Sequence, residues 1–306
     1  MQRHISDWKL GLEVGSYSLM SNIVFEYVGF SKETGFHKVN QDFYGFYSGA
    51  FGEIYIVARG IGKEGSEIIS HLAIITIKEF FDKLPERYNS ALSLEFAIQA
   101  ATKEVLSYTS KHQWLSNSGA TMALVLKNKQ GIFIAHAGDC RIFLVRKNKI
   151  SNLTQDHFTY KDISKLTSKE DGNNNIEVPV IFNTIGMAHV EPDIKGALKF
   201  YKNDCLLLVT KGVYNRVTRP EMVKAFANKD INDGIKKLWD LALNRKSQED
   251  FTLIALKVMK APILPFDLNE LKNDKTRFIL MAILFGVSLL LSVMTMMPYL
   301  RDMGGG

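Results

Sequence analysis

Runs rich in β-branched and aromatic residues alternate with short polar turns through much of this chain, and two long amphipathic segments interrupt them once. The runs fall at Ile23 to Phe30, Phe43 to Tyr47, Glu53 to Ala58, Thr121 to Leu126, Gly131 to His136, Arg141 to Arg146, Cys205 to Thr210 and Thr252 to Val258. That is the composition of strands. Lys127 to Gly131 and Arg146 to Lys149 are polar turns between such runs, which implies antiparallel hairpins there. After the third run, Ser66 to Leu84 carries Ile68, Ile69, Leu72, Ile75, Ile77 and Phe80, and Ala91 to Ser110 carries Leu94, Ala97, Ile98, Ala101, Val105 and Tyr108. This is the three-and-four spacing of helices with one apolar face. Arg219 to Asn244 supplies a later helical region with Pro220 near its start. Helices grouped around runs of strands predict an α+β fold in which sheets pack between helical layers.

A length of 306 residues and 46% apolar composition suffice for a full core, and one large domain with a tail fits better than two small ones. The net charge of +6 comes from interspersed Lys and Arg without a long basic block, which argues against nucleic acid as a partner. Cys140 and Cys205 sit inside apolar runs without a C-x-x-C partner and read as buried, reduced thiols. No run of signal-peptide length occurs in the first residues.

The far end is different. Phe278 to Met297 is a run of about twenty residues without a charge, interrupted only by Ser288, Ser292 and Thr295, and long enough to cross a bilayer as a helix. Lys272, Lys275 and Arg277 precede it and Arg301 alone follows it, a bias that places the preceding domain in the cytoplasm. The expected organisation is a domain over 1–260, a linker over 261–277 stiffened by Pro262 and Pro265, a transmembrane helix over Phe278 to Tyr299 and a short tail over 300–306. The localisation that follows is a single pass through the cytoplasmic membrane.

Seven short motifs carry a resemblance. They are Asn40-Gln41-Asp42, Val57-Ala58-Arg59-Gly60-Ile61-Gly62, Ser118-Gly119-Ala120-Thr121, Gly138-Asp139-Cys140-Arg141, Leu153-Thr154-Gln155-Asp156-His157, Leu207 to Val213 and Gln248 to Thr252. In this order the chain resembles the PPM family of metal-dependent, type 2C protein phosphatases over roughly residues 10 to 258. Asn40 to Phe43 with Lys211 to Tyr214 look closest to the phosphatase halves of bacterial proteins that join such a domain to a kinase and a membrane helix. The resemblance implies a four-layer α-β-β-α sandwich. It also implies hydrolysis of phosphoserine and phosphothreonine with two manganese or magnesium ions, which activate a water and offset phosphoryl charge.

Measured against that pattern, the site is altered. Such ions need oxygen ligands, chiefly aspartates, and the family's four acidic positions fall here on Asp42, Arg59, Lys211 and Glu249. Gly60, whose carbonyl would also bind metal, is kept. An Arg or Lys offers no lone pair and repels a cation at ligand distance. The formal charges of the four positions sum to zero, so the expectation is that Arg59 and Lys211 pair with Asp42 and with Glu249 or Asp250. In each basic motif the residue closes a strand and the following glycine is expected to permit a tight turn. His37 stands where the family's phosphate-binding arginine would be. Asp139 is expected to serve turn geometry and a bond to Arg141, and His136 and His157 to be structural. Asp171 to Asn175 falls where the family has a variable flap beside the active site.

The expected function is a membrane-anchored pseudophosphatase without metal cofactors, acting as a protein-binding or regulatory subunit of a membrane-associated signalling or secretion complex, with protein partners that include a phosphoprotein or kinase. One alternative is an active phosphatase using manganese or magnesium on Asp42, Gly60, Asp139 and Glu249. Another is a purely structural subunit of a membrane complex.

Overall fold

In the computed structural model the described residues are 23–261, save 34–36, 63, 86–87, 163–176, 197 and 228–229. The chain divides into two compact units, Met1–Ala261 and Pro262–Gly306, and the described residues belong to the first. No helix among the described residues is long and apolar enough to cross a membrane. The expected span over 278–299, most of the linker and the polar loop at Asp171 lie outside them.

Two five-stranded sheets form the middle of the domain. One has the order β1 (Val24–Lys32), β12 (Phe251–Lys260), β11 (Cys205–Val209), β6 (Arg141–Arg146), β7 (Lys149–Asn152). The other runs β10 (Asp193–Lys195), β5 (Gly131–Ala137), β4 (Gly119–Asn128), β3 (Gly52–Ile61), β2 (Asp42–Gly49). All neighbouring pairs are antiparallel. A separate hairpin, β8 (Phe158–Asp162) and β9 (Glu177–Ile181), flanks the loop outside the described residues.

Burial explains the layering. Every residue of β4 is buried, as expected of a central strand covered on both faces. One face of its sheet meets α1 (Ser66–Asp82) and α2 (Ser90–Lys111) in a core that includes Ile69, Ile74, Ile77, Leu94 and Ile98. The other face meets the first sheet through Tyr55, Val57, Val125, Ile142, Leu208 and Ile254. Beyond the first sheet, α4 (Arg219–Phe226) and α5 (Ile231–Asn244) cover a third core around Phe143, Phe226, Leu238 and Phe251. The four-layer α-β-β-α sandwich is therefore present, and every buried member of the three cores falls between Ile23 and Val258.

Helix boundaries follow from their caps. Asn89 accepts from the amide of Leu92 at the start of α2, and Asp230 accepts from the amides of Asn232 and Asp233 at the start of α5. The single helical region expected over Arg219 to Asn244 is two helices. The chain leaves helical geometry at Ala227 (ψ 108°) and Asp230 caps a fresh start. Gly234 lets the two helices close, since a Cβ there would lie 2.7 Å from the Phe226 ring.

Candidate functional site

Strand ends from both sheets meet along one edge of the sandwich. β3 brings Arg59 and Gly60, the β5–β6 turn brings Asp139, and the segment after β11 brings Lys211. The residues before β12 bring Glu249 and Asp250, and β2 opens with Asp42. The eight residues singled out in the sequence share this edge, with His37 joined to it through Asp250 at 2.9 Å.

The glycines of the two basic motifs act by close approach. β3 continues through Arg59 and Gly60 to Ile61, and the left-handed residue lies beyond, at Gly62 (φ 117°). A Cβ on Gly60 would lie 2.2 Å from the Ser66 carbonyl oxygen at the head of α1. Lys211 opens a short helix, α3 (Lys211–Tyr214), and a Cβ on Gly212 would lie 2.0 Å from the carbonyl oxygen of Asp250. Both backbones must touch a neighbour where any side chain would collide.

Arg59 bridges the acids. Its Nη2 lies 2.9 Å from Asp139 Oδ2 and its Nη1 3.4 Å from Glu249 Oε2, with the side chain only 12% exposed. Lys211 Nζ holds the other Glu249 oxygen at 2.7 Å. Glu249 thus receives both cations, as expected for one of the two acids, but Asp42 receives neither. Asp42 faces Arg59 directly across the β2–β3 ladder, yet its Oδ2 accepts a 2.5 Å hydrogen bond from the Thr210 hydroxyl. Asp139 takes the place expected of Asp42. The expected Asp139–Arg141 bond is absent, because Arg141 makes a bidentate pair with Asp156 at 2.8 and 2.7 Å.

Protonation follows from this arrangement. Burial pushes Asp42 up to about 8, against the opposing Thr210 hydrogen bond and the nearby Arg59 charge. It is therefore largely neutral at pH 7. Burial works against the charge of Arg59, but Asp139 and Glu249 outweigh it and raise its pKa above the ordinary arginine value. With Asp42 neutral, the two cations outnumber Glu249 by one, and Asp139 supplies the balancing charge.

Asp250 joins neither cation. Its Oδ2 accepts from the Gln41 amide at 2.9 Å and bonds His37 Nδ1 at 2.9 Å. Two residues that were not singled out hold the site from behind. Thr210 links Asp42 to β12 by accepting from the Thr252 amide at 3.2 Å. Tyr214 donates to the Asp139 carbonyl at 3.0 Å while the Arg141 guanidinium lies 3.6 Å from its ring. Both stand within or beside the Leu207 to Val213 motif, so the motif itself was the signal. His136 Nε2 meets the Gln155 carbonyl at 2.8 Å, so that nitrogen carries the proton. His157 Nδ1 accepts from the Gly138 amide at 3.2 Å, which puts the proton on Nε2. Although these rings and Asp193 cluster within 4.8 Å, both Nε2 atoms are donors, and the histidines serve the turn around Asp139.

The donor set does not fit a two-metal centre. Two of the four acidic positions present cations, and Asp139 and Glu249 are already engaged by them. A divalent ion at ligand distance would meet their positive charge at close range in a poorly solvated edge.

Residues 57–162 match the family model described as Protein phosphatase 2C. A serine/threonine phosphatase of Listeria welshimeri is 28% identical over 178 residues, 55% of this chain and 69% of that protein. Over this stretch the chain is similar to the PPM, type 2C phosphatase family. The fold of the domain agrees with that of solved phosphatase structures. The Mycobacterium tuberculosis serine/threonine phosphatase PstP/Ppp superposes with a TM-score of 0.63 at 19% identity, covering 78% of this chain and 99% of that one. A PstP catalytic domain in complex with two manganese ions gives 0.62 at 20% identity, covering 78% and 100%.

Proposed function

We propose that this PPM domain is a pseudophosphatase that works by binding proteins at a membrane. The observation that carries the reading is the Arg59 bridge, 2.9 Å to Asp139 and 3.4 Å to Glu249, with Lys211 closing on Glu249 at 2.7 Å. Internal cations engage acids that the family resemblance would offer to metal, and a fold is able to persist without its chemistry. The uncharged run from Phe278 to Met297 and the basic residues before it support a cytoplasmic domain tethered to the inner membrane. The partners on this reading are proteins, a phosphoprotein or kinase among them, within a signalling or secretion assembly.

A second reading has one observation in its favour. Among the described residues, Asp42 Oδ1, Asp139 Oδ1 and Asp250 Oδ1 are buried without a hydrogen-bond partner. Such oxygens suit a single cation and weak residual phosphatase activity. Calorimetry with manganese and phosphopeptide hydrolysis, both on residues 1–261, which hold all three cores, separate the two. The pseudophosphatase gives no heat of binding and no turnover. Micromolar manganese affinity, with turnover lost in Asp42→Ala, would replace it with the residual enzyme.

A further inference from the structure

α2 covers the second sheet with one face and turns the other to solvent. Its inner face, with Leu94, Ala97, Ile98, Ala101 and Val105, is buried in the core it shares with α1. On the outer face Leu92 and Phe96 are each 47% exposed and Leu106 is 37% exposed. The other helices are covered differently. Among the described residues, α1 and α4 expose no large apolar side chain, and α5 exposes only Leu243. Positions 92, 96, 99, 103 and 106 follow the three-and-four spacing of one helical stripe, so Gln99 and Lys103, both exposed, lie between the apolar residues.

Reversed end over end, the stripe is its own complement. Turned about Gln99, α2 sets Leu92 opposite Leu106 and Glu95 opposite Lys103, because each pair is centred on position 99. A two-fold axis at Gln99 makes each of these contacts twice. Within one helix Glu95 and Lys103 lie about 12 Å apart, too far to pair. Gln99 donates to Glu95 at 3.3 Å, which holds that carboxylate beside the stripe. Leucine and phenylalanine alone would suit any apolar surface. Acid opposite base in the reversed sequence selects the helix itself.

We infer that α2 is a self-association face, on which a second copy of this chain docks its own α2 antiparallel. Phe96 then lies along the alkyl stem of Lys103 from the second copy, and the charged ends stay at the wet rim. One helix supplies the seam, so it belongs with the small interfaces, below about 1,200 Å², that hold reversible dimers. The orientation has a consequence for the cleft. α2 starts at the β4–β5 turn, where Ser90 bonds Gln130 at 2.9 Å. It ends where Gly186 closes on Val105, next to the bridge from Ile185 to Ala120, the ladder partner of Gly60. Antiparallel pairing therefore puts the two clefts at opposite ends of the dimer. The inference does not depend on what the cleft binds.

Disulfide cross-linking of the full chain in detergent micelles tests the register. Cys140 and Cys205 are buried, so a cysteine introduced on α2 is the reactive thiol. Helix axes about 8–10 Å apart, with Cα atoms about 2.3 Å from each axis, bring the two copies of position 99 within disulfide range. Gln99→Cys should therefore give a linked dimer under mild oxidation. Leu92→Cys alone should not, because its two copies lie about 21 Å apart along the seam. A mixture of Leu92→Cys and Leu106→Cys chains should link. On the Gln99→Cys background, Glu95→Lys should slow linkage at least about fivefold, and Glu95→Lys/Lys103→Glu should restore it. No dimer from Gln99→Cys overturns the inference and leaves the stripe to a different protein or to lipid. Linkage as fast from Leu92→Cys alone, or from Lys236→Cys on α5, overturns it as well, since association then ignores position. So does a rate unchanged by Glu95→Lys or not restored by the charge swap.

Discussion

Arg59 faces Asp42 across the β2–β3 ladder, but its guanidinium reaches past that neighbour to Asp139 at 2.9 Å. Asp42 is left to Thr210 and Asp139 becomes the main counter-ion. Removing Arg59 therefore strands Asp139 and half of Glu249. Arg59→Ala should lower stability by about 3 kcal/mol, measured by urea unfolding, since an unpaired buried charge is left behind. Arg59→Asp/Lys211→Asp should be less stable still without metal, and its Tm should rise with added manganese while that of the parent does not.

Asp42 gives the domain a recognisable pH response. Its folded pKa, pushed up to about 8, exceeds its ordinary value of 3.8. The native state thus holds a proton that the unfolded chain has released between those values. The stabilising contribution is complete below pH 4 and is lost as pH rises through 8. Asp42→Asn keeps the Thr210 partner and cannot titrate. Its Tm should vary less between pH 5 and 8 than that of the parent, in scans at about unit pH steps.

The two close approaches predict intolerance of even a methyl group. Gly60→Ala places a Cβ 2.2 Å from the Ser66 oxygen, and Gly212→Ala places one 2.0 Å from that of Asp250. Each obstacle is backbone, which yields only by moving α1 or the start of β12. Each substitution should cost about 3 kcal/mol in chemical denaturation.

Tyr214 and Arg141 predict a smaller, separable effect. Tyr214→Phe removes one hydroxyl from the Asp139 carbonyl and should cost about 1 kcal/mol. Arg141→Lys keeps the charge but loses the two-pronged pair with Asp156 and the flat contact on Tyr214. The double variant should cost less than the sum of the single ones, because the two side chains touch.

The layers were legible because periodicity reports burial. The helix over Ser66 to Leu84 and the strand over Thr121 to Leu126 differ from α1 and β4 by two residues at each end or fewer. The break between α4 and α5 was hidden, since apolar residues recur on both sides of it and the capping Asp230 looks like any polar helix residue. The site was legible as a set of positions, because ordered motifs mark which strand ends meet. Its pairing was not. The choice of Asp139 over Asp42 depends on where a long guanidinium points and on a hydroxyl from Thr210, and neither leaves a trace in spacing. The roles of Gly60 and Gly212 were misassigned for the same reason. Sequence cannot distinguish a glycine that turns from one that another backbone touches.

Arg59 belongs to one sheet, whereas Asp139 follows the last strand residues of that sheet and Glu249 leads into the other. The contact is thus a clasp between the two halves of the sandwich at their open edge. A clasp made from a bound ion comes and goes with the supply of that ion in solution. One made from the chain itself has a local concentration fixed by covalent connection, so on the pseudophosphatase reading closure of this edge is constitutive and does not report on the cell's divalent metals.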